Sequence, residues 1–117
     1  MKLLKNLKNI LVVLSVIAII NVSVGISNAT NISWYGGKFH GRKTASGERF
    51  NQHDYTAASR TLPFGTKIRL TYRKNSVIVR VNDRGPYIKT RKLDVSKAAA
   101  RKLDCPGVCN VKMQILD

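Results

Sequence analysis

Two stretches alternate polar and apolar side chains residue by residue. Lys67 to Tyr72 reads KIRLTY and Ser76 to Val81 reads SVIVRV. A period of two puts successive side chains on opposite faces, so both predict half-buried strands, and Arg73-Lys74-Asn75 between them predicts a hairpin. Ile32 to Tyr35 predicts an earlier strand stopped by Gly36-Gly37, and Thr56 to Ala58 a short one before the Leu62-Pro63-Phe64-Gly65 turn. Gly41 to Gly47 is polar and loop-like, and Asn82-Asp83-Arg84-Gly85-Pro86 predicts a loop directly after a strand. Lys92 to Val95 predicts another strand. Ser96 then serves as N-cap for a helix over Lys97–Leu103, where KAAARKL is rich in good helix formers. Val108 to Leu116 predicts a last strand, interrupted near Lys112. Six short strands and one helix, without a βαβ repeat, fit a mainly β fold, a small β-barrel.

The N-terminus has a different pattern. Lys2, Lys5 and Lys8 precede an uncharged apolar run, Ile10 to Ile20, and a polar stretch ending Ser27-Asn28-Ala29. This is the layout of an export signal, with cleavage expected after Ala29 and a mature domain over 30–117. Eleven residues rise only about 16 Å as a helix, roughly half the hydrocarbon thickness of a bilayer. Extending the apolar run through Val24 gives the competing reading, an uncleaved anchor. With no Cys after the run there is no lipid attachment site, so the expectation is a soluble product without a stable membrane anchor, in the periplasm or outside the cell.

Charge sharpens the picture. The 117 residues carry 21 Lys+Arg against 6 Asp+Glu. With Lys2, Lys5 and Lys8 set aside, 18 basic and 6 acidic side chains remain. That excess favours a polyanionic partner. An exported chain meets little nucleic acid, so cell-wall polymers and anionic surfaces fit better. Cys105 and Cys109 flank a Pro-Gly turn, and in an exported chain an isolated pair reads as a disulfide, or as two free thiols in a reducing compartment. Zinc would need two more ligands, and only His40 and His53 exist, both far upstream. No metal or cofactor is expected, and nothing in the sequence fixes more than a monomer.

Acids are scarce enough to be informative. Glu48 is the only Glu; Asp54, Asp104 and Asp117 fall in a polar loop, at a helix end and at the C-terminus. Asp94 alternates with Leu93 and Val95, which places it on the other face, as a groove-lining carboxyl or a structural hydrogen-bond acceptor. Asp83 follows a strand and precedes a Pro-bearing turn. That rigid placement suits a general acid, and equally an Asx turn with Arg84 as ion-pair partner. No Ser-His-Asp or Cys-His arrangement is persuasive, because His40 and His53 have no sequence context marking them as bases. Glycosidic cleavage is the chemistry that one or two carboxyl groups perform without a cofactor. Trp34, Tyr35, Phe39 and Tyr87 could offer stacking faces to sugars, or fill the core.

These residues also carry a resemblance. Ser33-Trp34-Tyr35-Gly36, His40-Gly41-Arg42-Lys43-Thr44-Ala45-Ser46-Gly47-Glu48-Arg49-Phe50, Thr61-Leu62-Pro63-Phe64-Gly65-Thr66, Val81-Asn82-Asp83-Arg84-Gly85-Pro86 and Leu93-Asp94-Val95-Ser96 resemble the rare lipoprotein A (RlpA) family in order and spacing. The resemblance implies a six-stranded double-psi β-barrel with one short α-helix, related in architecture to expansins. It implies lytic transglycosylase activity on peptidoglycan glycan strands, with preference for strands stripped of stem peptides. By position, the catalytic acid falls on Asp83 and its supporting acid on Glu48. Beside them, Ser59, Trp34, Tyr35, Arg84 and Asp94 are the candidate substrate-binding residues. Ser59 stands where the family pattern has a His, which predicts lowered activity if that His binds substrate. The C-terminal SPOR domain of some members is not expected here.

Acid catalysis by an aspartic acid needs a neighbour that keeps it protonated. Glu48 or Asp94 in the same groove would serve, with Arg84 turned away. The rival reading is an expansin-like module that binds or loosens glycan without cutting it. A cationic surface-active protein would use the charge alone and leave the ordered motifs unexplained.

Overall fold

The computed structural model describes residues 28–116. The expected export segment lies outside them, except for its last two residues. Strand β1 (Asn28–Tyr35) is followed by a 3-10 turn at Gly37–Phe39. Then come β2 (Thr56–Ser59), β3 (Lys67–Tyr72), β4 (Asn75–Asp83), β5 (Leu93–Ser96), helix α1 (Lys97–Leu103) and β6 (Cys109–Leu116). The strands close into a barrel in the order β1-β5-β2-β4-β3-β6. Two neighbouring pairs, β1/β5 and β2/β4, run parallel, and the others antiparallel.

Alternation decides which side chains fill the barrel. Ile32, Ile68, Leu70, Val79, Val81, Leu93, Val95 and Val111 are fully or almost fully buried, each contributing about 1.5–3 kcal/mol of apolar burial. Helix α1 adds Ala99, Ala100 and Leu103 to the core. The Ser96 hydroxyl caps α1 by accepting from the Ala99 N–H, and Asp104 closes it in a left-handed conformation. The helix and β3 have the expected bounds.

Three expectations change. Strand β1 begins four residues early: Asn28 and Ala29 pair with Met113 and Lys112, so cleavage after Ala29 would trim the start of this strand. Strand β6 runs unbroken through Lys112, because Val111 faces the core and Lys112 faces out. An outward lysine obeys the period of two and interrupts nothing. Strand β4 continues through Asn82 and Asp83, which were expected to lie in a loop.

Cys105 and Cys109 are joined in a disulfide, Cα–Cα 6.1 Å, across the turn from α1 into β6. Cys109 pairs with Ile32, so this cross-link anchors the turn beside β1. A loop this short removes little unfolded-chain entropy, about 2 kcal/mol in the chain-entropy model. The double replacement Cys105→Ala/Cys109→Ala is expected to lower unfolding free energy by about that amount in urea titrations. An unchanged denaturation midpoint would show that the cross-link adds nothing.

Candidate active site

One row of paired residues crosses four adjacent strands. Ser33 on β1 pairs with Asp94 on β5, Asp94 pairs with Ala58 on β2, and Ala58 pairs with Asp83 on β4. Leu93 and Val95 point into the core, so the row lies on the outer surface of the barrel. Strands two apart are separated by roughly 10 Å, which places the backbones of Asp94 and Asp83 on either side of a strip floored by Ala58.

A β-bulge sets Asp83 in that row. Ala57 pairs with Val81, but the next residue, Ala58, pairs with Asp83, so Asn82 is the extra residue. Val81 and Asn82 are consequently both buried, breaking the alternation of β4. Asp83 Oδ1 accepts from the backbone N–H groups of Ala45 and Arg84, each at 2.9 Å. Among the described residues its Oδ2 has no hydrogen-bond partner. On the other side, the Ser33 hydroxyl donates to Asp94 Oδ1.

Asp83 and Asp94 line a cavity of about 320 Å³ with Tyr35, Phe39, Ala58, the segment Arg84–Ile88 and Arg91. Tyr35 stacks on the buried Phe50 at 4.6 Å between ring centroids and meets Phe39 edge-on at 5.8 Å. Tyr87 is 82% exposed and offers an open aromatic face. Arg84 lines the cleft, yet its guanidinium turns away from both acids. It donates to the carbonyls of Ser59 (3.1 Å) and Leu62 (2.8 Å) and stacks 3.9 Å above the Phe64 ring. The ion pair considered between Asp83 and Arg84 is therefore not formed.

Several sequence-predicted residues lie elsewhere. Glu48 does not line the cleft. Arg80 Nη1 and Nη2 donate to its two oxygens at 2.8 Å each, and Asn82 Nδ2 donates to Oε1 at 2.9 Å. The Arg80 and Asn82 hydrogen bonds, against a smaller opposing effect of burial, lower its pKa to about 2. The second carboxyl on the cleft wall is Asp94. Ser59 is buried, its hydroxyl accepting from the N–H groups of Thr61 and Leu62 as a turn brace, and it lies outside the cleft lining. Trp34 shares the parity of Ile32 rather than of Tyr35, and it too lies outside the cleft.

The sequence reading missed Ser33, Arg80, Asn82, Phe50 and Arg60. Ser33 shares the parity of Tyr35 and Arg80 alternates outward from Val79 and Val81, so a signal existed for both. Arg60 donates to the carbonyls of Pro86 and Arg91 and pins the cleft loop, with no local pattern announcing it. A second hollow of about 330 Å³, between the 52–55 loop and α1, is lined by His53, Lys97, Arg101 and Lys102 and contains no carboxylate. Among the described residues no group of three or more His, Cys, Asp or Glu is placed to hold a metal ion.

Comparison with known proteins bears on the family and the fold. A family model described as "Lytic transglycolase" matches residues 27–115. The probable endolytic peptidoglycan transglycosylase RlpA of Aquifex aeolicus is 67% identical over 73 residues, covering 61% of this chain and 32% of that protein. The endolytic peptidoglycan transglycosylase RlpA of Neisseria meningitidis is 56% identical over 88 residues, covering 72% of this chain and 37% of its own length. The chain thus spans about a third of the length of these curated relatives. In structure, the barrel is similar to Streptomyces papain inhibitor at TM-score 0.64 and 20% identity, covering 81% of this chain and 98% of that one, a likeness of fold alone. Its closed barrel and the extent of the family match establish that this chain belongs to the lytic transglycolase family of RlpA-like double-psi β-barrel domains.

Proposed function

We propose that this domain cleaves peptidoglycan glycan strands internally, at the β-1,4 bond between N-acetylmuramic acid and N-acetylglucosamine, leaving 1,6-anhydro ends. The carrying observation is the Asp94–Ala58–Asp83 row, which puts two carboxyl groups on one open, aromatic-edged cleft. Asp83 is the acid. Its proton passes to the bridging oxygen as the C1–O bond breaks. The C6 hydroxyl of the same muramic residue then bonds to C1 and returns its proton to Asp83, so no water is consumed and the carboxyl is regenerated. Asp94, oriented by Ser33, faces the positive charge that develops at C1. Phe39 and Tyr87 supply apolar faces for sugar rings.

Glu48 acts at one remove. Its grip on Asn82 and Arg80 fixes the bulge that aims Asp83, which makes it a positioning residue. The basic excess suits stripped strands, because removal of a stem peptide frees the lactyl carboxylate of each muramic residue. Such a domain works outside the cytoplasm, as an exported monomer.

Peptidoglycan digested with the purified protein should yield anhydro-ended fragments by mass spectrometry. Asp83→Asn should reduce their release about 10²- to 10⁴-fold while strands still bind. Asn keeps an acceptor oxygen for the Ala45 and Arg84 N–H groups, so the variant should fold normally. Binding by the wild type without new ends would instead identify a non-catalytic glycan-binding module.

Glu48→Gln separates the brace from the chemistry. Because the folded-state pKa lies below the ordinary 4.5, the pair's contribution is complete above pH 4.5 and fades as pH falls toward about 2. Both side chains are 40% exposed, so solvent screening limits that contribution to about 1 kcal/mol. Urea unfolding of the wild type and Glu48→Gln should differ by roughly this much at pH 7 and converge near pH 2. A gap that persists unchanged at acid pH would contradict the assignment.

A further inference from the structure

Tyr35, Thr56 and Asn82 each bury a polar side-chain atom that has no hydrogen-bond partner among the described residues. Of the three residues, Tyr35 lines the cleft. Its ring is clamped by Phe50 and Phe39, so the hydroxyl cannot swing out to solvent without breaking the stack. An orphaned buried hydroxyl has lost its water without gaining a partner, which destabilises the fold. A ligand in the cleft can supply the missing partner.

We propose that the Tyr35 hydroxyl is a catalytic-cleft hydrogen-bond donor to an uncharged oxygen of the glycan, an acetamido carbonyl or a sugar hydroxyl, seated between Asp83 and Asp94. The proposal rests on the cleavage reading above and adds to it the residue that recognises the sugar at the reacting position. Two features define the ligand chemistry. Burial, and then the negative charges of Asp83 and Asp94, push the phenol well above its ordinary range, so it stays protonated and remains a donor. The Asp94 carboxylate repels an anion, so the lactyl carboxylate of a stripped strand is disfavoured at this spot and a neutral oxygen fits. Arg91 also lines the cleft and is a cation available to an anionic group of the same strand.

Replacing Tyr by Phe keeps the ring, and with it both aromatic contacts, and deletes only the hydroxyl. Tyr35→Phe is expected to lower kcat/KM for glycan cleavage about 10- to 100-fold, as loss of a hydrogen bond at a buried site does, with an unchanged or raised thermal midpoint. Affinity for uncleaved strands, compared between Asp83→Asn and Asp83→Asn/Tyr35→Phe by calorimetry, should fall by a similar factor. That arm reads the contact even if the wild type releases no anhydro ends, in which case the cleavage reading fails separately. A kcat/KM and an affinity both within twofold of the parent overturn the proposal. So does a fall in activity accompanied by a lowered thermal midpoint, which marks a structural role for the hydroxyl.

Discussion

The cleft depends on strand register. A slip of one residue between β2 and β4 would turn every side chain of one strand to the opposite face. Asp83 would then point away from Ala58 and Asp94, and the two acids would lie on different surfaces. The bulge at Asn82 uses that sensitivity locally. It adds one residue to β4, so the valines upstream still fill the core while Asp83 joins the outer row. Asn82 spans the step, with its backbone carbonyl bonded to Ser46 and its amide to Glu48. The barrel thus fixes where the acids lie, and the 44–48 turn fixes how one of them is aimed.

In so basic a domain, two carboxyl groups kept out of ion pairs need an explanation. Three of the nearby guanidinium groups are engaged elsewhere. Arg80 is held by Glu48, Arg84 by the carbonyls of Ser59 and Leu62, and Arg60 by carbonyls of the 86–91 segment. Each of these cations has acceptors that are not Asp83 or Asp94. The same bonds hold the cleft loops in place, so electrostatic and mechanical order come from one set of contacts. The orphaned Tyr35 hydroxyl fits this pattern, a site whose polar groups are arranged for a ligand rather than for one another.

Much of this was legible in the sequence. The period of two in β3 and in most of β4 predicted their core faces, and Ser96 marked the start of α1. Asp83 and Asp94 stood out because acids are rare and both follow apolar alternation. The bulge was not legible, since nothing in Val81-Asn82-Asp83 distinguishes a strand with one added residue from a strand that ends. For the same reason the partners of Glu48 were not legible. Its lone status was visible, but Arg80 lies 32 positions away and only the folded chain brings it within 2.8 Å. Ser59 was read through the His of related sequences, whereas its own chemistry, a hydroxyl beside two free N–H groups, makes it a turn brace.

The direct test of the central claim is a crystal structure of Asp83→Asn with an uncleaved glycan oligomer bound. The account places the oligomer across Ala58, with a glycosidic oxygen about 3 Å from the side chain at position 83 and Asp94 on the opposite wall. An oligomer seated in the basic hollow beside α1, with the Asp83–Asp94 cleft empty, would contradict it.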